Sequence, residues 1–247
     1  MLNSNLFVEK IRKKEYDMDN HYYPYCIPSI AKFEEIPFSK PVTFFVGENG
    51  MGKSTLIEAI AIKAGFNPEG GSRNFNFHTM DSHSCLHENL VLARTHQKNR
   101  DGYFLRAESY YNVASEIERL DEVRGGGRPV KEYYGGKSLH EQSHGESFLS
   151  LVLHRFYGNG LYILDEPEAA LSPARQLTLL ARIHQLVKLN SQFIIATHSP
   201  MLMAYPNADI YQLDETGINP IQYEQTEHYR ITKYFLNNRE DMLNKLL

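Results

Sequence analysis

The sequence predicts an α/β fold: a mostly parallel core sheet flanked by helices, with an antiparallel group of strands near the N-terminus and a small helical lobe around residues 80–157. Three observations predict it. Val42-Thr43-Phe44-Phe45-Val46 is an apolar run followed by a glycine-rich loop, then by Leu56, Ile57, Ile60 and Ala61 at helical spacing. Leu161-Tyr162-Ile163-Leu164 is a second run, and it ends in Asp165-Glu166. Phe193-Ile194-Ile195-Ala196 is a third, ending in Thr197-His198. Short continuous apolar runs suit strands covered on both faces, which is how parallel sheets are built.

At 247 residues the chain suits a single domain, 1–247, with enough length to bury a core. A first strand is expected at Leu6–Glu9, followed by a basic cluster of Lys10, Arg12, Lys13 and Lys14. Tyr22, Tyr23 and Tyr25 come next; one of them could stack on an adenine ring, although half-buried packing is the more ordinary role for such residues. Phe33–Ile36 reads as a strand, and the helix after the glycine-rich loop runs to about Ala64, where Gly65 stops it. His78, His83, Cys85 and His87 match no metal-ligand spacing. Gly102–Ser109 alternates as a strand, with Tyr103, Leu105 and Ala107 on one face, and Tyr111–Leu120 reads as a helix. Residues 123–136 are a glycine-rich loop. Arg124, Arg128, Lys131 and Lys137 in or beside it could touch a nucleic-acid backbone or simply be solvated.

Bulk properties narrow the class. A net charge of −4 argues against a strongly basic nucleic-acid binder, though a local patch fits inside a mild total. Cys26 and Cys85 are the only cysteines, so no disulfide framework is implied. No apolar run approaches the roughly 18 residues of a membrane span, and Met1–Tyr16 has no apolar segment of the secretory kind. The expected setting is cytoplasmic, and the chain is not expected to be an integral membrane protein.

The chemistry is concentrated in the loop Gly47-Glu48-Asn49-Gly50-Met51-Gly52-Lys53-Ser54-Thr55. Gly47, Gly52, Lys53 and Ser54 fit the phosphate-binding pattern G-x-x-x-x-G-K-[ST]. Glycines bring backbone N–H groups onto phosphate oxygens, and the start of the following helix adds free N–H groups and a positive dipole end. Lys53 is expected on the β/γ-phosphates and the Ser54 hydroxyl on Mg²⁺. The paired acids Asp165 and Glu166 close an apolar strand, where uncompensated charge is costly. Their expected roles are metal binding by Asp165 and activation of the attacking water by Glu166. Ser143-His144-Gly145-Glu146-Ser147 precedes a helix whose expected buried face is Phe148, Leu149, Val152, Leu153 and Phe156. A Ser and a Gly at a helix start offer a second anion site or an ordinary N-cap.

These motifs, in this order, resemble the ABC class of ATPases over roughly residues 30–215. Gly47–Thr55 resembles the Walker A loop, and Asp165 and Glu166 the Walker B acid and catalytic base. Ser143–Ser147 resembles the signature motif, with Gln142 and His144 replacing its usual leucine and first glycine. Ala170-Leu171-Ser172 is similar to the D-loop, and His198 to the switch histidine. The wording GENGMGKSTL and DEPEAALSP is similar to the SMC and RecF-like branch and to small stand-alone bacterial ATPases. Lys53 and Asp165 are 112 positions apart (165 − 53), with no heptad run between them to form coiled-coil arms.

The resemblance implies ATP and Mg²⁺ as cofactors, with nucleotide-binding residues Gly47–Thr55, Ser143, Gly145 and Glu146. It implies catalytic roles for Glu166, His198 and Lys53, and metal contacts from Ser54 and Asp165. Gln97 is the candidate for the glutamine that touches metal and attacking water. It also implies a head-to-tail homodimer that sandwiches ATP between Lys53's loop and Ser143–Glu146 of the other copy. Hydrolysis would then drive or gate a protein or DNA partner, as in DNA maintenance or defence. The alternatives are an ATP-gated binding module, a transporter engine, and a P-loop kinase.

Overall fold

The computed structural model describes residues 6–14, 21–72, 84–106 and 144–247, and every structural statement below concerns those residues. The first strand, β1 (Val8–Lys13), starts later than expected and runs through the basic cluster. Val8 and Ile11 are buried while Lys10 and Arg12 are not, so those two basic residues share one side of the strand, and Lys13 alternates onto the other, where its ammonium donates to the Ile30 carbonyl at 3.1 Å and to the Ala31 carbonyl. Lys10 pairs there with Glu35 at 2.9 Å. A short helix α1 (Pro28–Lys32) and β2 (Glu35–Pro37) follow, then β3 (Val42–Val46), buried at every position. Helix α2 (Lys53–Ala64) leaves the glycine-rich loop and ends at Gly65.

A 3₁₀ turn at Cys85–Asn89 leads into β4 (Leu90–Arg94), and β5 (Asp101–Arg106) follows. Both strands fall inside the stretch 80–157 read as a helical lobe. Ala107, the helix expected at 111–120, the glycine-rich loop at 123–136 and Ser143 lie outside the described residues. Helix α3 (His144–Arg155) is followed by β6 (Gly160–Asp165) and α4 (Pro173–Lys188). The chain continues through β7 (Gln192–Ala196), the one-turn helix α5 (Pro200–Met203), β8 (Ala208–Asp214) and β9 (Gly217–Pro220). It closes with α6 (Glu227–Asn237) and α7 (Arg239–Leu246), the two helices of a C-terminal arm.

The main sheet has the order β5-β6-β7-β3-β8-β9, parallel throughout except for the β8–β9 pair. A separate antiparallel sheet, β2-β1-β4, packs as the expected N-terminal strand group. The unalternating strands are explained by their two covered faces. Phe44, Tyr162, Phe193 and Ile195 meet α3 and α4 in one cluster with Phe148, Leu151, Val152 and Leu179. Phe45, Ile163 and Ile194 point the other way, against Leu56, Ile57 and Ile60 of α2 and Ile11 and Ile36 of the small sheet. The inward face of α3 departs from the expected one. Leu151 is fully buried, while Leu153 is 38% exposed.

This order has a functional consequence. β6, β7 and β3 are neighbours and run the same way, so the segments that leave their carboxyl ends converge on one edge. In open parallel sheets that edge is where ligands bind.

Candidate nucleotide-binding site

The glycine-rich loop leaves β3 and is held from below by α1. Ser29 Oγ donates to the Met51 carbonyl at 2.6 Å. Lys53 is 4% exposed, and its ammonium donates to the Gly47 and Glu48 carbonyls, both at 2.8 Å. Burial lowers its pKa, and the carboxylates of Glu166, Asp165, Glu168 and Glu48 pull the other way. A cation enclosed by backbone carbonyls, with a bare glycine loop around it, is a site shaped for an anion.

Asp165 ends β6 and is 6% exposed. Its Oδ1 accepts from Ser54 Oγ at 3.1 Å, so the first turn of α2 and the end of β6 converge on one point. The two donors are hard oxygens, the ligands Mg²⁺ selects. Among the described residues no group of three or more His, Cys, Asp or Glu could hold a metal by itself.

Glu166 sits in the left-handed region, with φ 49 and ψ 52. A non-glycine residue held there costs of order 1–3 kcal/mol and tends to mark a functional position. The bend turns its carboxylate toward His198, whose Nε2 lies 3.4 Å from Glu166 Oε1 with no closer partner. The structure thus brings together Gly47–Thr55, Asp165, Glu166 and His198.

Gln97 is not part of that group. β5 and β6 pair from Asp101–Gly160 at one end to Arg106–Asp165 at the other, and Gln97 precedes Asp101. Its N–H is bonded to Thr95 Oγ1, and Thr95 is bonded to the Leu6 and Phe7 carbonyls. Phe7 N–H in turn donates to Gln192, at the start of β7. Five strand residues, about 17 Å, separate that end of the sheet from Asp165. Gln97 therefore cannot be the glutamine that touches metal and water.

At the start of α3, Gly145 packs against the segment resembling a D-loop. A Cβ on it would lie 2.5 Å from the Ala170 carbonyl oxygen and 2.7 Å from an Arg175 nitrogen. The Glu146 carboxylate pairs with Arg175 at 3.0 Å, so that helix start is fastened to α4 of its own chain.

Four residues of the site were not singled out from the sequence. Glu58 follows Ser54 by one helical turn, and its carboxylate pairs with Arg106 at 2.7 Å. Arg106 Nε is also 3.6 Å from Asp165 Oδ2. A buried acid among Leu56, Ile57, Ala59 and Ile60 was a readable signal for Glu58. Glu168 accepts the His198 backbone N–H at 2.5 Å and so fixes the segment after β7. Burial raises its pKa. His228 touches His198 from the C-terminal arm.

Two family models match the chain. One, described as an AAA domain, matches residues 26–133 and contains the phosphate loop. The other, described as an AAA domain, putative AbiEii toxin, type IV TA system, matches residues 138–204 and contains Gly145, the acid pair and His198. The fold is also that of cbiO1 from Clostridium perfringens, part of the ABC transporter complex cbiONQ. That match has a TM-score of 0.52 at 15% identity, over 98% of this chain and 100% of that one. The chain thus matches AAA-domain models over two stretches and has the fold of an ABC-type P-loop ATPase domain. Among its relatives, the ABC transporter G family member STR2 of Medicago truncatula is 25% identical over 172 residues, which is 64% of this chain and 24% of that protein. An uncharacterized ABC transporter ATP-binding protein of Haemophilus influenzae is 36% identical over 77 residues, 31% of this chain and 29% of that protein. The chain thus spans about a quarter of the length of the relatives it matches. Among its described residues no helix is long and apolar enough to cross a membrane.

Proposed function

We propose that the chain hydrolyses ATP with Mg²⁺ in a head-to-tail dimer. The observation that carries the reading is the convergence of Ser54 and Asp165 at 3.1 Å beside the enclosed Lys53, with Glu166 and His198 facing each other at 3.4 Å. Lys53 would leave the loop carbonyls for the β/γ-phosphates, a charge-assisted exchange. Ser54 and Asp165 would hold Mg²⁺, which when bound neutralises phosphate charge. Glu166 would take a proton from the attacking water, and the bond to the ADP oxygen would break with its electron pair leaving on ADP. His198 would offer its Nε2–H to the transferred phosphate. Tyr23, 59% exposed and joined to Thr55 Oγ1 at 2.9 Å through its hydroxyl, is the aromatic best disposed to meet the adenine ring. Ser143, Gly145 and Glu146 would face the nucleotide held by the partner copy.

The partner that hydrolysis drives is read in two ways. The description of the model over residues 138–204, a putative toxin of a type IV TA system, favours a toxin–antitoxin role in defence. The names of the two relatives favour a transporter engine. Phosphate release measured with ATP and Mg²⁺ tests the shared core of both. The parent should turn over ATP, and Lys53→Ala should lose both ATP binding and turnover while keeping its fold. Unchanged ATP affinity in Lys53→Ala would sink the assignment. Stimulation by duplex DNA would separate the first partner reading from the second.

A further inference from the structure

His198 has a second histidine behind it. His228 lies in the first turn of α6, and its Nε2 is 2.9 Å from His198 Nδ1. The rings meet edge to face, 5.0 Å between centroids and 61° between planes. On its other side, His198 Nε2 faces Glu166 Oε1 at 3.4 Å. These two contacts favour one arrangement of the protons. A carboxylate only accepts, so the hydrogen of His198 belongs on Nε2, and Nδ1 of a neutral ring is then an acceptor. In that arrangement the hydrogen between the two rings comes from His228 Nε2.

Both rings favour the neutral form. Burial and then the Lys53 charge lower the pKa of His198 against the pull of Glu166. The same two causes lower that of His228 against Glu227 and Glu48. The arm is pinned where it carries this residue. Tyr223 hydroxyl donates to the Pro200 carbonyl at 3.0 Å, two residues beyond His198. Thr226 is fully buried, and its hydroxyl donates to the Tyr223 carbonyl at 2.7 Å. The Tyr229 ring leans on that of Tyr223 at 4.6 Å. His228 also lines a cleft of about 260 Å³ together with Gly47, Glu48 and Met51 of the phosphate loop.

We propose that His228 is a positioning residue for the nucleotide site: it donates to His198 Nδ1 and holds that ring as the Nε2–H tautomer, aimed at Glu166 and the transferred phosphate. The proposal rests on the hydrolysis reading for its catalytic consequence, not for the tautomer itself. It makes the C-terminal arm part of the engine, since lifting the arm off Pro200 removes the hydrogen bond that orients His198.

Two variants test it. His228→Gln keeps an N–H donor near the position of Nε2, and His228→Phe keeps a ring without one. The ¹⁵N spectrum of the His198 ring, taken without nucleotide at neutral pH, reads the tautomer directly. Phosphate release and ATP affinity read the consequence. Parent and His228→Gln should show the Nε2–H form of His198 and similar kcat. His228→Phe should show mixed tautomers, with kcat down roughly 10- to 100-fold, the usual weight of a residue that orients a site ligand, and little change in KM. The proposal is overturned if His228→Phe keeps the tautomer and the parental kcat, or if His228→Gln falls as far as His228→Phe. A parent that releases no phosphate defeats the hydrolysis reading, while the ring spectra still decide the role of His228.

Discussion

Replacing Gly47 by alanine should cost the fold far more than replacing Gly50, although both belong to the same loop. Gly47 has φ 144, and a Cβ built on it would lie 2.3 Å from the Leu213 carbonyl oxygen. The obstacle is backbone, so no side-chain rotation relieves it. β3 and β8 are paired from Val42–Ala208 to Val46–Gln212, so relief means prying the base of the loop off β8. An unfavourable backbone angle costs roughly 1–3 kcal/mol, and forced overpacking adds roughly 1–3 kcal/mol. Gly47→Ala should therefore cost about 2–6 kcal/mol, much of the 5–15 kcal/mol that holds a typical domain together. Gly50 has φ 82 and nothing within 4 Å of an added Cβ. Gly50→Ala should cost only the left-handed backbone, roughly 1–2 kcal/mol. Urea unfolding followed by circular dichroism without nucleotide measures both, free of any contribution from binding. Equal costs, or a milder Gly47→Ala, would mean that the loop is not seated against β8 in solution.

Two further outcomes follow from the same site. His198 and His228 both have lowered pKa values in the folded protein. Below about pH 6.5 the unfolded chain therefore binds protons that the native state refuses. Stability should be full above that pH and fall as the pH drops toward the folded-state values. His228→Gln should flatten part of the acid-side decline in Tm, and an identical Tm profile would contradict the shift. Tyr23→Leu should weaken ATP binding by roughly 5- to 150-fold if the ring stacks on adenine, since such stacking is worth about 1–3 kcal/mol per base. Tyr23→Phe should bind nearly as the parent does, and a Tyr23→Leu variant with parental affinity would remove Tyr23 from the adenine site.

Local chemistry made part of this molecule legible. Apolar runs before Gly47, Asp165 and Thr197 mark three adjacent strands, because a strand buried on both faces cannot alternate. The phosphate loop announces itself through residue types that its backbone geometry demands. Other features needed the third dimension. Leu151 and Leu153 are chemically identical, and two stripes at helical spacing overlap on α3; only the facing sheet decides between them. Gln97 was a reasonable guess by type and fails by topology, since β5 must run its full length between it and the acid pair. Arg106 meets Glu58 across 48 positions and Asp165 across 59 (165 − 106). His228 meets His198 across 30. Separations of that kind leave no periodic trace in the chain. The first strand, expected at Leu6–Glu9, instead runs from Val8 through most of the basic cluster to Lys13, held by pairing with β2 and β4 that its own residue types do not announce.

The most direct measurement is size-exclusion chromatography of Glu166→Gln with ATP and Mg²⁺, run alongside phosphate release. The substitution keeps size and hydrogen bonding but removes the charge that draws a proton from water. Asp165, Ser54 and Lys53 remain, so nucleotide and metal should still bind. The expected result is a lasting ATP-dependent dimer, with phosphate release down roughly 10²- to 10⁴-fold, the usual weight of a general base. A Glu166→Gln protein that hydrolyses ATP like the parent would contradict the role of Glu166, and one that stays monomeric with ATP bound would contradict the composite site.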